Sequence, residues 1–153
     1  MANTYHQIYL QAVFAGKYRQ AVIQQEWQSQ LYSVIGNLIN EKNCKTIIVN
    51  GVEDHVHCFF GLKPSISVSE LMQNVKAKSS KYINDHQLTP EHFGWQDGYG
   101  VFSYSHSQIP KVYHYIQRQA EHHTKQTFKV EYLELLRKFN IEFDEQYIFQ
   151  GLI

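Results

Sequence analysis

Residues 44–61 read CKTIIVNGVEDHVHCFFG. Two runs rich in β-branched and aromatic residues flank Asn50-Gly51, a dipeptide that suits a tight hairpin turn. The reading is a strand over Cys44–Val49, a turn at Asn50-Gly51 and a further strand over Asp54–Leu62. Successive strand side chains point to opposite faces, so His55 and His57 share a face and Val56 takes the other. Two imidazoles side by side on a rigid strand supply half of a divalent-metal site. The same pair is equally consistent with two histidines on the half-exposed face of an edge strand.

Upstream, Thr4–Ala15 is rich in aromatic and β-branched residues and reads as a first strand, followed by a turn at Gly16–Arg19. From Ala21 to Asn40, Val22, Ile23, Trp27, Leu31, Val34, Ile35, Leu38 and Ile39 recur at helical spacing beside a Gln-rich outer face. Downstream, Pro64 ends the histidine strand, and Ser67 or Ser69 is placed to cap a helix over Val68–His86. A loop follows over Leu88–Gly98, then a strand over Tyr99–Ser107. Pro110 opens a helix from about Lys111 to His122, and another runs from about Lys129 to Phe139. The tail from Ile141 to Ile153 is aromatic and apolar, and is expected to dock on a surface or a partner chain.

This order, β-α-β-β-α-β with additional C-terminal helices, is the ferredoxin-like pattern of the α+β class. It predicts a four-stranded antiparallel sheet with two helices on one face. The first and third strands are central, and the uncovered histidine face forms a platform. No repeat, low-complexity tract or linker divides the chain, so residues 1–153 read as a single domain, with the C-terminal helix and tail over about 129–153.

Charge is balanced, with 14 basic and 14 acidic residues, which disfavours non-specific coating of nucleic acid but allows a local basic face. Cys44 and Cys58 do not make a disulfide framework. Cys58 sits in the apolar strand as a buried thiol, which suits a reducing cytoplasm. No signal region or long apolar run points to export or to a membrane.

The helix over about 110–123 contains YIQRQAEHH at 115–123. Tyr115 and Gln119 stand four residues apart, one above the other on one helix face, and His122 continues that line. Val112, Ile116 and Ala120 make the adjoining apolar face, which leaves the Tyr115 hydroxyl at its edge and free. A tyrosine that only anchors the helix through its ring fits the same pattern.

His55-Val56-His57 resembles the His-hydrophobic-His (HUH) metal motif of the single-tyrosine transposases of the insertion sequence 200/605 family. Tyr115-Ile116-Gln117-Arg118-Gln119 resembles the Tyr-Ile-x-x-Gln helix that carries the nucleophile in that family. The aspartate before the histidine pair, the Trp95–Tyr99 segment and Phe102-Ser103 are similar to it as well, and the likeness spans nearly the whole chain. The resemblance implies that Tyr115 attacks a phosphodiester of single-stranded DNA, forming a 5′-phosphotyrosine link and releasing a 3′-OH. It implies a divalent metal, Mg²⁺ or Mn²⁺, on His55, His57 and Gln119, with His122 as a candidate replacement or addition.

It also implies a homodimer whose tyrosine helices can complete one another's histidine sites, and recognition of single-stranded DNA hairpins at element ends. Lys17, Arg19, Lys76, Lys78, Lys81 and Arg118 are the candidate DNA-binding residues. Chemically, a phenol with a pKa near 10 needs activation, and a metal beside the scissile phosphate offsets its developing charge. Three other readings stand beside this one: a domesticated relative that processes repeated palindromic DNA, a non-catalytic single-strand-binding module with base-stacking aromatics, and a metal hydrolase that needs no tyrosine.

Overall fold

The computed structural model describes residues 4–144. The strands are β1 (Tyr9–Ala15), β2 (Lys45–Gly51), β3 (His55–Gly61) and β4 (Gly100–Tyr104). The helices are α1 (Gln25–Glu41), α2 (Val68–Asp85), α3 (Ile109–Gln117), α4 (Gln119–Lys125) and α5 (Phe128–Lys138). The sheet order is β2-β3-β1-β4, with every neighbouring pair antiparallel. This is the split βαβ order that the sequence predicts, and β3 is a central strand paired on both sides.

One face of the sheet carries Leu10, Ala12, Phe14, Val56, Cys58 and Phe60. They pack with Trp27, Leu31, Ile35 and Ile39 of α1 and with Leu71, Met72, Val75 and Ile83 of α2 in the main core. The Ser67 side chain caps α2 by accepting from the Glu70 amide at 3.1 Å. Both cysteines are free and buried. Trp95 donates to Ser79 at 2.9 Å, and Lys76 donates to the Gln96 and Gly98 carbonyls at 2.7 and 2.9 Å, tying the loop before β4 to α2.

The opposite face carries the histidines and is not an open platform. Phe59 packs under Val112 and Ile116 of α3, while Val13, Ala15 and Phe102 lie under Phe128, Leu133, Leu135 and Leu136 of α5. The apolar residues on these two helices need a surface to bury against, and the second face of the sheet supplies it. His55 and His57 are thereby 1% and 0% exposed.

Two further expectations change. Asn50 and Gly51 belong to β2, and the hairpin turns one step later, where the Val52 amide donates to the His55 carbonyl at 3.1 Å. Gly51 is needed for close approach, since a Cβ there would stand 2.2 Å from the His55 carbonyl oxygen.

The single helix expected over about 110–123 is broken at Arg118, whose φ and ψ are −99° and 28°. The Asn50 side chain donates to the Ile116 and Gln117 carbonyls at 2.9 and 3.2 Å, satisfying groups freed at the break. The Arg19 side chain lies outside the described residues, as does most of the Ile141–Ile153 tail.

Candidate active site and metal centre

Rigid elements position each functional side chain. β3 presents His55 and His57, with ring centroids 5.2 Å apart. α3 brings Tyr115 edge-on to His57 at 6.0 Å between centroids, and its ring stacks on His122 of α4 at 4.6 Å. α4 begins at Gln119, which is 1% exposed and points inward. The backbone break before Gln119 therefore does not separate it from Tyr115.

α5 contributes Glu131, which the sequence reading did not select. Phe128, Glu131 and Leu135 stand at i, i+3 and i+7, so Glu131 lies in the buried stripe of the helix. An acidic residue interrupting an apolar stripe is the signal that was available. Glu131 Oε1 lies 3.0 Å from His55 Nε2 and 3.3 Å from His57 Nε2. Its Oε2 accepts from the Tyr115 hydroxyl and, at 3.2 Å, from Gln119 Nε2. The Tyr115 hydroxyl is thus engaged rather than free. Gln119 Oε1 is the second acceptor for His55 Nε2, at 3.1 Å.

Outer contacts orient the histidines. His55 Nδ1 pairs with Asp54 Oδ1 at 2.6 Å, and its ring stacks on Phe128 at 4.4 Å. His57 Nδ1 accepts from Gln11 Nε2 at 2.8 Å, and Gln11 Oε1 accepts from the Tyr104 hydroxyl at 2.7 Å.

Burial opposes charge on His55, but hydrogen bonds and the charges of Asp54 and Glu131 outweigh it and raise its pKa from 6.5 to about 9. Burial lowers the pKa of His57 and keeps it neutral. Burial works to raise the pKa of Glu131, yet hydrogen bonds from both histidines hold it far below the usual carboxylate range. Burial, reinforced by the charge of Glu131, pushes the Tyr115 phenol well above its ordinary value.

His55, His57 and Glu131 each offer one ligand atom, and these atoms lie within 4.8 Å of one another. Two imidazoles and a carboxylate form a donor set that fits a divalent first-row metal, with Gln119 Oε1 at the same spot. A protonated His55 places positive charge against Glu131 Oε1, the spot at which these donors could hold a cation.

The basic candidates are scattered. Lys76, Lys78 and Lys81 belong to α2, across the sheet from the histidines; Lys76 holds loop carbonyls and Lys81 pairs with Asp85 at 2.6 Å. Lys17 lies in the turn after β1, and Arg118 is exposed at the helix break. Nearer the chemistry are Lys111 and Lys138, which line a cavity of 190 Å³ with Tyr104, Gln108, Tyr115 and Glu131. No helix among the described residues is long and apolar enough to cross a membrane.

Comparison with known proteins places the chain and its fold. The chain is 29% identical over 120 residues to the transposases for insertion sequence element IS200 of Salmonella typhimurium and Salmonella typhi, covering 71% of this chain and 74% of each relative. Its fold is similar to the crystal structure of a transposase-like protein from Deinococcus radiodurans R1, with a TM-score of 0.62, 18% identity and coverage of 78% of this chain and 95% of that one. It is also similar to a REP-associated tyrosine transposase bound to a REP hairpin, with a TM-score of 0.54, 12% identity and coverage of 84% and 76%. The family model of IS200-like transposases matches residues 4–119, from the start of the described chain to the inward-pointing glutamine, and the chain belongs to that family.

Proposed function

We propose that this chain cleaves and rejoins single-stranded DNA with Tyr115 as nucleophile, at a divalent-metal site formed by His55, His57, Glu131 and Gln119. One observation carries the reading. The Tyr115 hydroxyl, both histidines and Gln119 converge on one buried carboxylate, that of Glu131. A tyrosine that only anchored a helix would not need its hydroxyl aimed at a metal-type donor set.

In the cleavage step the Tyr115 oxygen forms a bond to phosphorus and the bond from phosphorus to the 3′ oxygen breaks. The 5′ phosphate stays on the tyrosine and the 3′ oxygen leaves as a hydroxyl. The Tyr115 proton, which Glu131 Oε2 holds by hydrogen bond at the start, ends on the departing 3′ oxygen, so the step neither gains nor loses a proton. A bound cation supplies positive charge that offsets the charge developing on the phosphate. His55 is held by Asp54 and Phe128, and His57 by Gln11, so the site is ordered before substrate arrives. The covalent link conserves the phosphodiester energy, so a 3′-OH reverses the step at a new junction.

The substrate is a single-stranded hairpin; the REP hairpin held by the structural relative supports that choice. Tyr115 meets Glu131 of its own chain, the contact that a cis arrangement requires.

The test is incubation with labelled single-stranded hairpin DNA and Mn²⁺. A denaturation-resistant adduct that is absent in Tyr115→Phe is the expected result. Metal-dependent cleavage that persists undiminished in Tyr115→Phe would instead establish a metal hydrolase.

A further inference from the structure

We propose that Gln11 and Tyr104 form a hydrogen-bond relay through which metal loading at His57 turns the Tyr104 hydroxyl toward the cavity beside Tyr115. The proposal rests on the metal reading above.

Gln11 lies on β1, next to β3, and is 1% exposed. Its side chain bridges two groups. The Tyr104 hydroxyl donates to Oε1 at 2.7 Å, and Nε2 donates to His57 Nδ1 at 2.8 Å. The chain of donors therefore runs one way, from Tyr104 through Gln11 to His57. A neutral imidazole carries one proton, so an accepting Nδ1 places that proton on Nε2, facing Glu131 Oε1 at 3.3 Å.

Metal ligation through Nε2 needs the lone pair of that nitrogen, and the proton must then sit on Nδ1. With Gln11 in its present orientation, two N–H groups would face each other at a spacing of 2.8 Å. Turning the amide over removes the conflict. Oε1 then accepts from His57 Nδ1–H, and Nε2 donates to the Tyr104 oxygen. The Tyr104 proton loses its acceptor and must point elsewhere. Tyr104 lines the 190 Å³ cavity with Lys111, Tyr115 and Lys138, where a phosphate oxygen of the strand under attack is the natural acceptor.

No net proton is gained or lost in the relay: that of His57 exchanges between ring nitrogens, and Tyr104 keeps its own. Glutamine suits this task because its amide offers a donor and an acceptor and exchanges them by rotation. A glutamate in its place could only accept, and a leucine could do neither.

The test combines side-chain ¹⁵N NMR of His57, Mn²⁺ binding and adduct kinetics. Titration with diamagnetic Mg²⁺ is expected to move His57 from the Nε2–H to the Nδ1–H tautomer. Gln11→Leu is expected to weaken Mn²⁺ binding by about 10–100-fold. Gln11→Glu should bind Mn²⁺ at least as tightly as the unaltered chain, yet lose kcat, because its carboxylate retains the Tyr104 proton. Tyr104→Phe should also keep Mn²⁺ affinity while kcat/KM for adduct formation drops by about tenfold or more.

His57→Ala separates the two levels. If it binds Mn²⁺ like the unaltered chain, the metal reading itself fails. If it loses Mn²⁺ while Gln11→Leu, correctly folded by circular dichroism, retains full affinity, the relay is overturned and the metal site stands. Unchanged kcat in Gln11→Glu, or unchanged kcat/KM in Tyr104→Phe, overturns the Tyr104 arm; these two variants keep the test decisive if Gln11→Leu does not fold.

Discussion

The Tyr115 hydroxyl donates a hydrogen bond to Glu131, sixteen residues further along the chain and on a different helix. The same carboxylate meets both histidines of β3, so the proposed nucleophile and the metal-type donors share one buried negative charge. That arrangement holds the tyrosine protonated until a cation takes over part of the charge of Glu131.

Glu131→Gln keeps the shape of the side chain and removes its charge. Mn²⁺ affinity is expected to fall by about 10²-fold or more, since even residues behind the ligands contribute 10–100-fold. Adduct formation should fall with it. Isothermal titration with Mn²⁺ and a gel assay for the adduct check both, and wild-type affinity in this variant would remove Glu131 from the ligand set.

The metal-free protein should lose stability as pH rises. The pKa of His55 rises from 6.5 to about 9 on folding, so its contribution is complete below pH 6.5 and is lost as pH climbs through about 9. A cation at Nε2 displaces that proton, so Mn²⁺ affinity should increase over the same interval by up to about tenfold per pH unit. Thermal melts in chelator and Mn²⁺ titrations across this range test the two halves. A melting temperature that stays flat in Asp54→Asn but falls in the unaltered chain would locate the effect at this histidine.

Gly51→Ala is expected to destabilise the fold by about 1–3 kcal/mol or more, because the added carbon meets backbone rather than a flexible side chain. The strand carrying the histidines must shift to make room. Denaturant titration gives the loss of stability, and an unchanged midpoint would show that the hairpin tolerates a wider turn.

Asn50→Ala removes two hydrogen bonds to the end of α3. A loss of about 1 kcal/mol is expected. Because the break they satisfy immediately precedes Gln119, adduct yield should fall more than the change in stability alone would cause. Comparing the two at a temperature well below the melting point separates these effects.

Mixing Tyr115→Phe chains with His57→Ala chains tests whether the tyrosine acts on its own site. With Tyr115 and Glu131 meeting within one chain, the mixture should form no adduct. Recovered adduct would mean that tyrosine helices cross between subunits of a dimer.

Much of this molecule can be read from its residues. Alternation in β1 and β3 and helical spacing in α1 and α2 follow from the need to bury one face of each element, and they lead to the four-stranded order with the histidine strand at its centre. His55 and His57 share a face because strand side chains alternate, and Tyr115 and Gln119 stood out through their spacing. Glu131 did not: its place in the apolar stripe of α5 was visible, but helical spacing alone does not tell that an acidic residue there is buried among distant partners.

Tertiary packing decided the rest. Glu131 meets His57 across 74 residues of chain, and only the docking of α5 on the second face of the sheet brings them together. The same docking turned an expected open platform into a buried site. Asn50, locally a turn former, instead caps a helix 66 residues away. Local sequence determined which elements form and which faces they bury; the burial of one particular carboxylate depends on which distant groups can neutralise it, and that is a property of the assembled fold.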